Sequence, residues 1–196
     1  MKRTILALAC LSTLFAAPLQ RGERDRAMSH LHATRKQFLD SIDGLSEAQW
    51  KFKPNEKTWS IAEVAEHMAI SEEGLPAMIQ KQFLTSPVST ANLKANDELI
   101  LKGLVDRSKK FQAPEMLRPT NRWKNRAELT SSFKTNRDKL IDYVDKTSDE
   151  LRSHTMPNPL FKEVDGYQWV LFISAHSERH MLQILEVKAN PGFPKQ

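Results

Sequence analysis

A chain of 196 residues, 40% hydrophobic and with a formal charge of +5, carries enough apolar material for one domain of about 150–170 residues with a real core. Its 29 basic and 24 acidic side chains are interleaved, as in Arg21 to Arg26 and Asn136 to Lys146, without the one-sign stripe or aromatic spacing that nucleic-acid binding would require. A single cysteine, Cys10, excludes a disulfide framework, and six glycines within long stretches of helical periodicity point to an all-α protein.

In chain order, residues 1–20 are expected to form a secretory signal. Lys2 and Arg3 precede an apolar run from Ile5 to Ala17 that falls short of the roughly 20 residues needed to span a bilayer, so no stable membrane anchor is expected. Export to the periplasm or beyond follows, with a cytoplasmic location if the leader does not function. Loss of the leader removes Cys10 and lowers the charge to +3, and any nucleophile must then be water or arrive with the substrate. Residues 21–190 are expected to form the domain and 191–196 a tail.

The first helix is predicted from about Arg24 to Asp43, with Leu31, Phe38 and Ile42 on one stripe and Gly44 ending it. Leu45 to Thr58 reads as a connection whose Trp50 and Phe52 cover one end of a bundle. Ser60 and Glu63 form a capping box, so the second helix starts near Ile61 and places Ile61, Val64, Met68 and Leu75 on its apolar face, with His67 at the edge. Gly74 and Pro76 then either bend this helix or end it.

A short helix is predicted from Asn96 to Phe111, followed by an extended loop marked by Pro114 and Pro119. The third bundle helix is predicted from Arg126 to about Lys146, capped by Asn125 and Glu128. Asn136 and Arg137 interrupt its apolar stripe and are candidates to face a central cavity. Thr147 to Val164 reads as a loop. A last helix capped by Asp165 and Gln168 carries Trp169, Ile173, His176, His180, Gln183 and Val187 along one face.

His176 and His180 stand one helical turn apart, so both imidazoles can reach one ion at about 2.0–2.1 Å. His67 is the candidate third ligand, contributed by a separate helix. The pair lacks the glutamate of a zincin HExxH motif, since Ser177 fills that position, and the capping role of Glu63 already accounts for the carboxylate nearest His67. Three imidazoles with an open position suit a catalytic centre, because structural zinc sites close with four ligands. An all-imidazole set favours zinc or nickel and admits iron or manganese. Arg137 and Arg179 are candidate contacts for a small-molecule substrate.

The segments Lys57 to Met68, Ala113 to Leu129 and Phe172 to Ile184 resemble the DinB-like superfamily of metal-binding four-helix bundles, over roughly residues 25–188. The resemblance implies an all-α four-helix bundle with a long crossover between the second and third bundle helices, which then run parallel. It also implies His67, His176 and His180 as ligands of a divalent metal, with water completing the shell. Relatives in that family resemble metal-dependent hydrolases or thiol-dependent transferases, and the resemblance admits a homodimer. Export argues against the thiol branch, whose cofactors are mainly cytoplasmic reductants. The alternative expectation is an exported bundle that binds metal or ligand without turnover.

Overall fold

The computed structural model describes residues 18–83, 85–89, 92–158 and 160–195; the leader expectation for residues 1–17 lies outside them. Leu19 is buried in the core, and the Gln20 amide donates to Glu23 Oε2 at 3.0 Å at the start of the first helix. The folded domain therefore takes in residues assigned from sequence to the leader.

Four long helices build the bundle: α1 (Arg21–Ile42), α3 (Ile61–Phe83), α5 (Arg126–Lys146) and α6 (Gly166–Lys188), with short helices α2 (Glu47–Lys51) and α4 (Asp97–Val105) in the connections. Their starts follow from local chemistry. Ser60 Oγ accepts the Glu63 amide at 3.2 Å while Glu63 Oε2 accepts the Ser60 amide at 2.7 Å, and Asp165 and Gln168 reciprocate in the same way at α6. Asn125 caps α5 through the Glu128 amide at 2.9 Å, but Glu128 reaches back to Lys124, so that box is only half closed. Past the end of α1, Gly44 adopts φ 65°, a conformation that favours glycine.

Each long helix packs against two others, α1 and α3 both contacting α5 and α6. Directions follow from the pairings. Arg24 meets the carbonyls of Val144 and Asp145 while Phe38 meets Phe133, so α1 and α5 are antiparallel. Glu66 bonds the chain just before α5, whereas Glu72 reaches Arg137 further along it, so α3 and α5 run parallel, as the crossover implies. Helix α3 continues unbroken through Gly74 and Pro76, which settles the choice between a bent and a terminated helix. Among the described residues, no helix is long and apolar enough to cross a membrane.

Two apolar clusters fill the interior. One gathers Leu31, Ile79, Leu140, Val170 and Leu171 with Ile100 and Leu104 of α4, and the other gathers Phe38, Ile61, Val64, Met68, Phe133, Ile184 and Val187. Helix α4 lies across α6, which explains why nearly every residue from Gly166 to Ala175 is buried and α6 shows no solvated face there. Trp50 is buried in the second cluster with Arg126 stacked 4.4 Å above its ring, and Phe52 meets Phe193 edge-on at 5.6 Å. The carboxy-terminal segment thus helps close that end of the bundle. The expected loop from Thr147 to Val164 contains a hairpin, β1 (Thr155–Asn158) paired antiparallel with β2 (Lys162–Asp165).

Candidate metal centre

Antiparallel packing of α3 on α6 brings His67 against the His176 and His180 pair. The Nε2 atoms of His67 and His176 are 3.1 Å apart, as are those of His180 and His176, and all three ligand atoms lie within 4.8 Å of one another. Nitrogens sharing one ion at 2.0–2.1 Å stand about 2.9–3.4 Å apart at the angles common in octahedral and tetrahedral shells. The two separations from His176 fall in that interval, and the third pair lies within 4.8 Å.

Proton placement strengthens the fit. His67 Nδ1 donates to the Leu117 carbonyl at 2.7 Å, and His180 Nδ1 donates to Gln183 Oε1 at 3.0 Å. Both outer nitrogens carry the proton of the neutral ring, leaving Nε2 of each as a bare lone pair. His176 Nε2 can donate to only one of these two acceptors. At least one 3.1 Å approach therefore sets lone pair against lone pair, an arrangement a cation between them relieves.

Burial supports the neutral state. Burial, partly opposed by the Leu117 hydrogen bond, lowers the pKa of His67, and burial followed by the repulsion that a protonated neighbouring ring would exert, with nearby arginines adding to it, pushes His176 and His180 well below the ordinary histidine value. His67 is only 2% exposed, so it sits deeper than the edge position its helical phase predicts. His176 keeps some exposed surface although its ring is enclosed. The lining is aromatic, with Trp59 at 5.2 Å from the His67 ring and Phe172 stacked 6.1 Å from His176.

The two arginines expected to contact substrate are engaged elsewhere. Arg137 is completely buried and directs its donors at Glu72 (2.8 and 2.5 Å), the Leu31 carbonyl (3.0 Å), Thr34 Oγ1 (3.0 Å) and Ser177 Oγ (2.6 Å). All five N–H groups have partners, so the structure corrects the substrate role to one of joining four helices. Arg179 likewise donates to the Leu104 and Asp106 carbonyls at 2.9 and 2.6 Å and to that of Lys109, fastening the end of α4 to α6. Asn136 is half-buried and donates to the Ser132 carbonyl on its own helix. His30 and His32 are also apart from it.

Sequence reasoning missed the groups that support the ligands. Gln183 was legible, because it follows His180 by three residues on the same face, whereas the Leu117 carbonyl has no side-chain signature. Arg107, bidentate to Glu186 at 2.9 and 2.7 Å and 3.5 Å from Gln183 Oε1, extends the support behind His180.

Known proteins share this frame. The uncharacterized protein YuaE of Bacillus subtilis is 28% identical over 161 residues, covering 82% of this chain and 96% of its own length. Among solved structures, YfiT from Bacillus subtilis, described as a probable metal-dependent hydrolase with an unusual four-helix bundle topology, superposes with a TM-score of 0.60 at 13% identity, covering 90% of this chain and 91% of that one. The four-helix bundle protein TT2238 gives 0.55 at 20% identity, covering 83% and 98%. The DinB superfamily model matches residues 30–184, which run from within α1 to within the last turns of α6 and include all three histidines, and the chain belongs to that superfamily.

Proposed function

We propose that this protein is a metal-dependent enzyme, a hydrolase or group transferase acting on a small molecule, with His67, His176 and His180 holding a divalent ion. The observation that carries the reading is the convergence of three Nε2 atoms within 4.8 Å, two of them fixed as lone-pair donors by partners on the far side of the ring. Three imidazoles leave positions open, and zinc or nickel suits the donor set best, with iron or manganese also accommodated. When bound, such an ion supplies Lewis acidity at neutral pH, acidifying water or a substrate thiol and polarising an electrophilic oxygen. The chain's own part is to present three neutral rings, to keep their tautomers fixed and to wall the centre with Trp59 and Phe172. Export, by an amino-terminal leader that ends before Leu19, and action as a monomer or homodimer on a non-nucleic-acid substrate complete the proposal.

A second reading is an exported binding protein that holds a metal or ligand without turnover. It draws support from three carboxylates that flank His67 on α3 and are engaged elsewhere: Glu63 to its cap and Lys53, Glu66 to backbone amides and Glu72 to Arg137. None is left as a general base. The deciding experiment purifies the protein without a polyhistidine tag and measures bound metal in wild type and His180→Ala, then screens the loaded protein against ester, amide, phosphoester and thiol-conjugation substrates. Metal in the wild type and its loss in the variant are expected; a metal-free wild type defeats both readings. Turnover abolished by His176→Ala establishes the enzyme, and metal binding with no turnover on any class favours the binder.

A further inference from the structure

Glu66 is 6% exposed, immediately precedes His67 on α3, and its carboxylate is met by backbone. Its Oε1 accepts the amides of Thr120 at 2.9 Å and of Arg122 at 2.8 Å. Between those two residues Asn121 adopts φ 58°, a left-handed turn that aims the flanking N–H groups at one oxygen and that asparagine tolerates better than other non-glycine residues. Arg122 adds an ion pair with Glu73 at 2.9 Å, about two turns further along α3. Upstream, the carbonyl of Leu117, at the end of the short 3₁₀ turn Glu115–Leu117, accepts the His67 Nδ1 proton at 2.7 Å. Consecutive α3 residues, Glu66 and His67, thus grip residues 117–122 of the crossover at two points.

We infer that Glu66 is a positioning residue of the metal centre: by clasping residues 120–122 it holds the Leu117 carbonyl against His67 Nδ1 and so fixes the tautomer and direction of the His67 Nε2 ligand. The inference rests on the three-histidine metal reading. Partners behind a ligating histidine commonly govern metal affinity, and a loop that stabilises the bound state must in turn be stabilised by the metal.

The test measures Zn(II) affinity by competition with a chromophoric chelator, and the visible spectrum of the Co(II) form, for wild type, Glu66→Ala, Glu66→Gln and Asn121→Val. Circular dichroism checks folding. Glu66→Ala is expected to bind about 10–100-fold more weakly with an altered Co(II) spectrum, whereas Glu66→Gln, which keeps an acceptor oxygen for both amides, stays within about threefold of wild type. Asn121→Val forces a β-branched residue into the left-handed turn and loosens the clasp without touching the bundle, so it should weaken binding in the same direction even if the alanine variant does not fold. Zn(II) should also slow tryptic cleavage after Arg122 in wild type more than in Glu66→Ala.

The outcomes separate. Failure of wild type to bind Zn(II) overturns the metal reading itself. Wild-type binding with unchanged affinity and spectrum in Glu66→Ala, or in Asn121→Val, overturns the role of Glu66 alone. A glutamine variant as weak as the alanine one assigns the effect to lost negative charge and overturns the positioning role as well.

Discussion

Consecutive residues of α6 serve two buried polar clusters of opposite character. Ser177 joins Arg137, Glu72 and Thr34 in a layer where cation, carboxylate and hydroxyls satisfy one another, and the Ser177 and Thr34 hydroxyls also bond carbonyls of their own helices, at 3.1 and 2.8 Å. His176 joins His67 and His180 in a cluster whose inward-facing atoms are acceptors, with at most one proton to share among them. The first is closed and needs nothing from outside; the second sets at least one lone pair against another, a contact that a cation would relieve. Burial alone therefore does not distinguish a structural polar cluster from a ligand site. What distinguishes them is whether donors and acceptors balance.

The largest effect that would sharpen this contrast is expected in the closed cluster. Glu72→Ala leaves Arg137 as an uncompensated buried cation and should cost about 3–5 kcal/mol in urea unfolding of the metal-free protein. The double variant Glu72→Leu with Arg137→Met removes both charges, and because the neighbouring hydroxyls keep their in-helix acceptors it should cost clearly less than Glu72→Ala alone. Equal losses for the single and double variants would show that the pair is held by something other than mutual neutralisation.

Next comes acid. Burial holds all three histidines neutral in the fold, with folded pKa values below the ordinary 6.5. For groups depressed in this way the unfolded chain binds more protons as pH falls, so stability is fully present above about pH 6.5 and declines below it toward the folded values. Chelator-treated protein should therefore unfold at lower urea concentration at pH 5.5 than at pH 7.5. Replacing the three rings with glutamine should flatten that slope; an unchanged slope would mean the histidines are not what the acid attacks.

How far the sequence carries this comparison depends on which atoms make each cluster. The meeting of the three histidines was legible because i, i+4 spacing and helix phase fix which rings share a face, and the start of α5 at Arg126 was legible from the Asn125 cap. Arg137 was visible as a polar break in an apolar stripe, but its partner Glu72 lies on another helix, and nothing local announces a pairing across 65 residues. The hairpin escaped because its strands are only four residues long and the first contains Pro157, features that read as loop. Helix α2 did carry a signal, Ser46 and Gln49 as a closed capping box, in a segment too short to show periodicity. The Leu117 carbonyl, being backbone, had none.

The smallest predicted effect concerns Glu63, the carboxylate four residues before His67 and thus the one a motif search would nominate as a base. Its oxygens accept from the Ser60 amide at 2.7 Å and from Lys53 at 2.9 Å, which accounts for it as a helix cap. Glu63→Ala should then cost about 0.5–2 kcal/mol of stability, in line with lost caps elsewhere, while bound metal stays at the wild-type level. Glu63→Gln, which preserves the acceptor, should recover most of that loss. If instead Glu63→Gln kept its stability and lost turnover on a substrate that wild type consumes, the carboxylate would be acting in the chemistry. The centre would then have the base that Glu66 and Glu72 are too committed to provide.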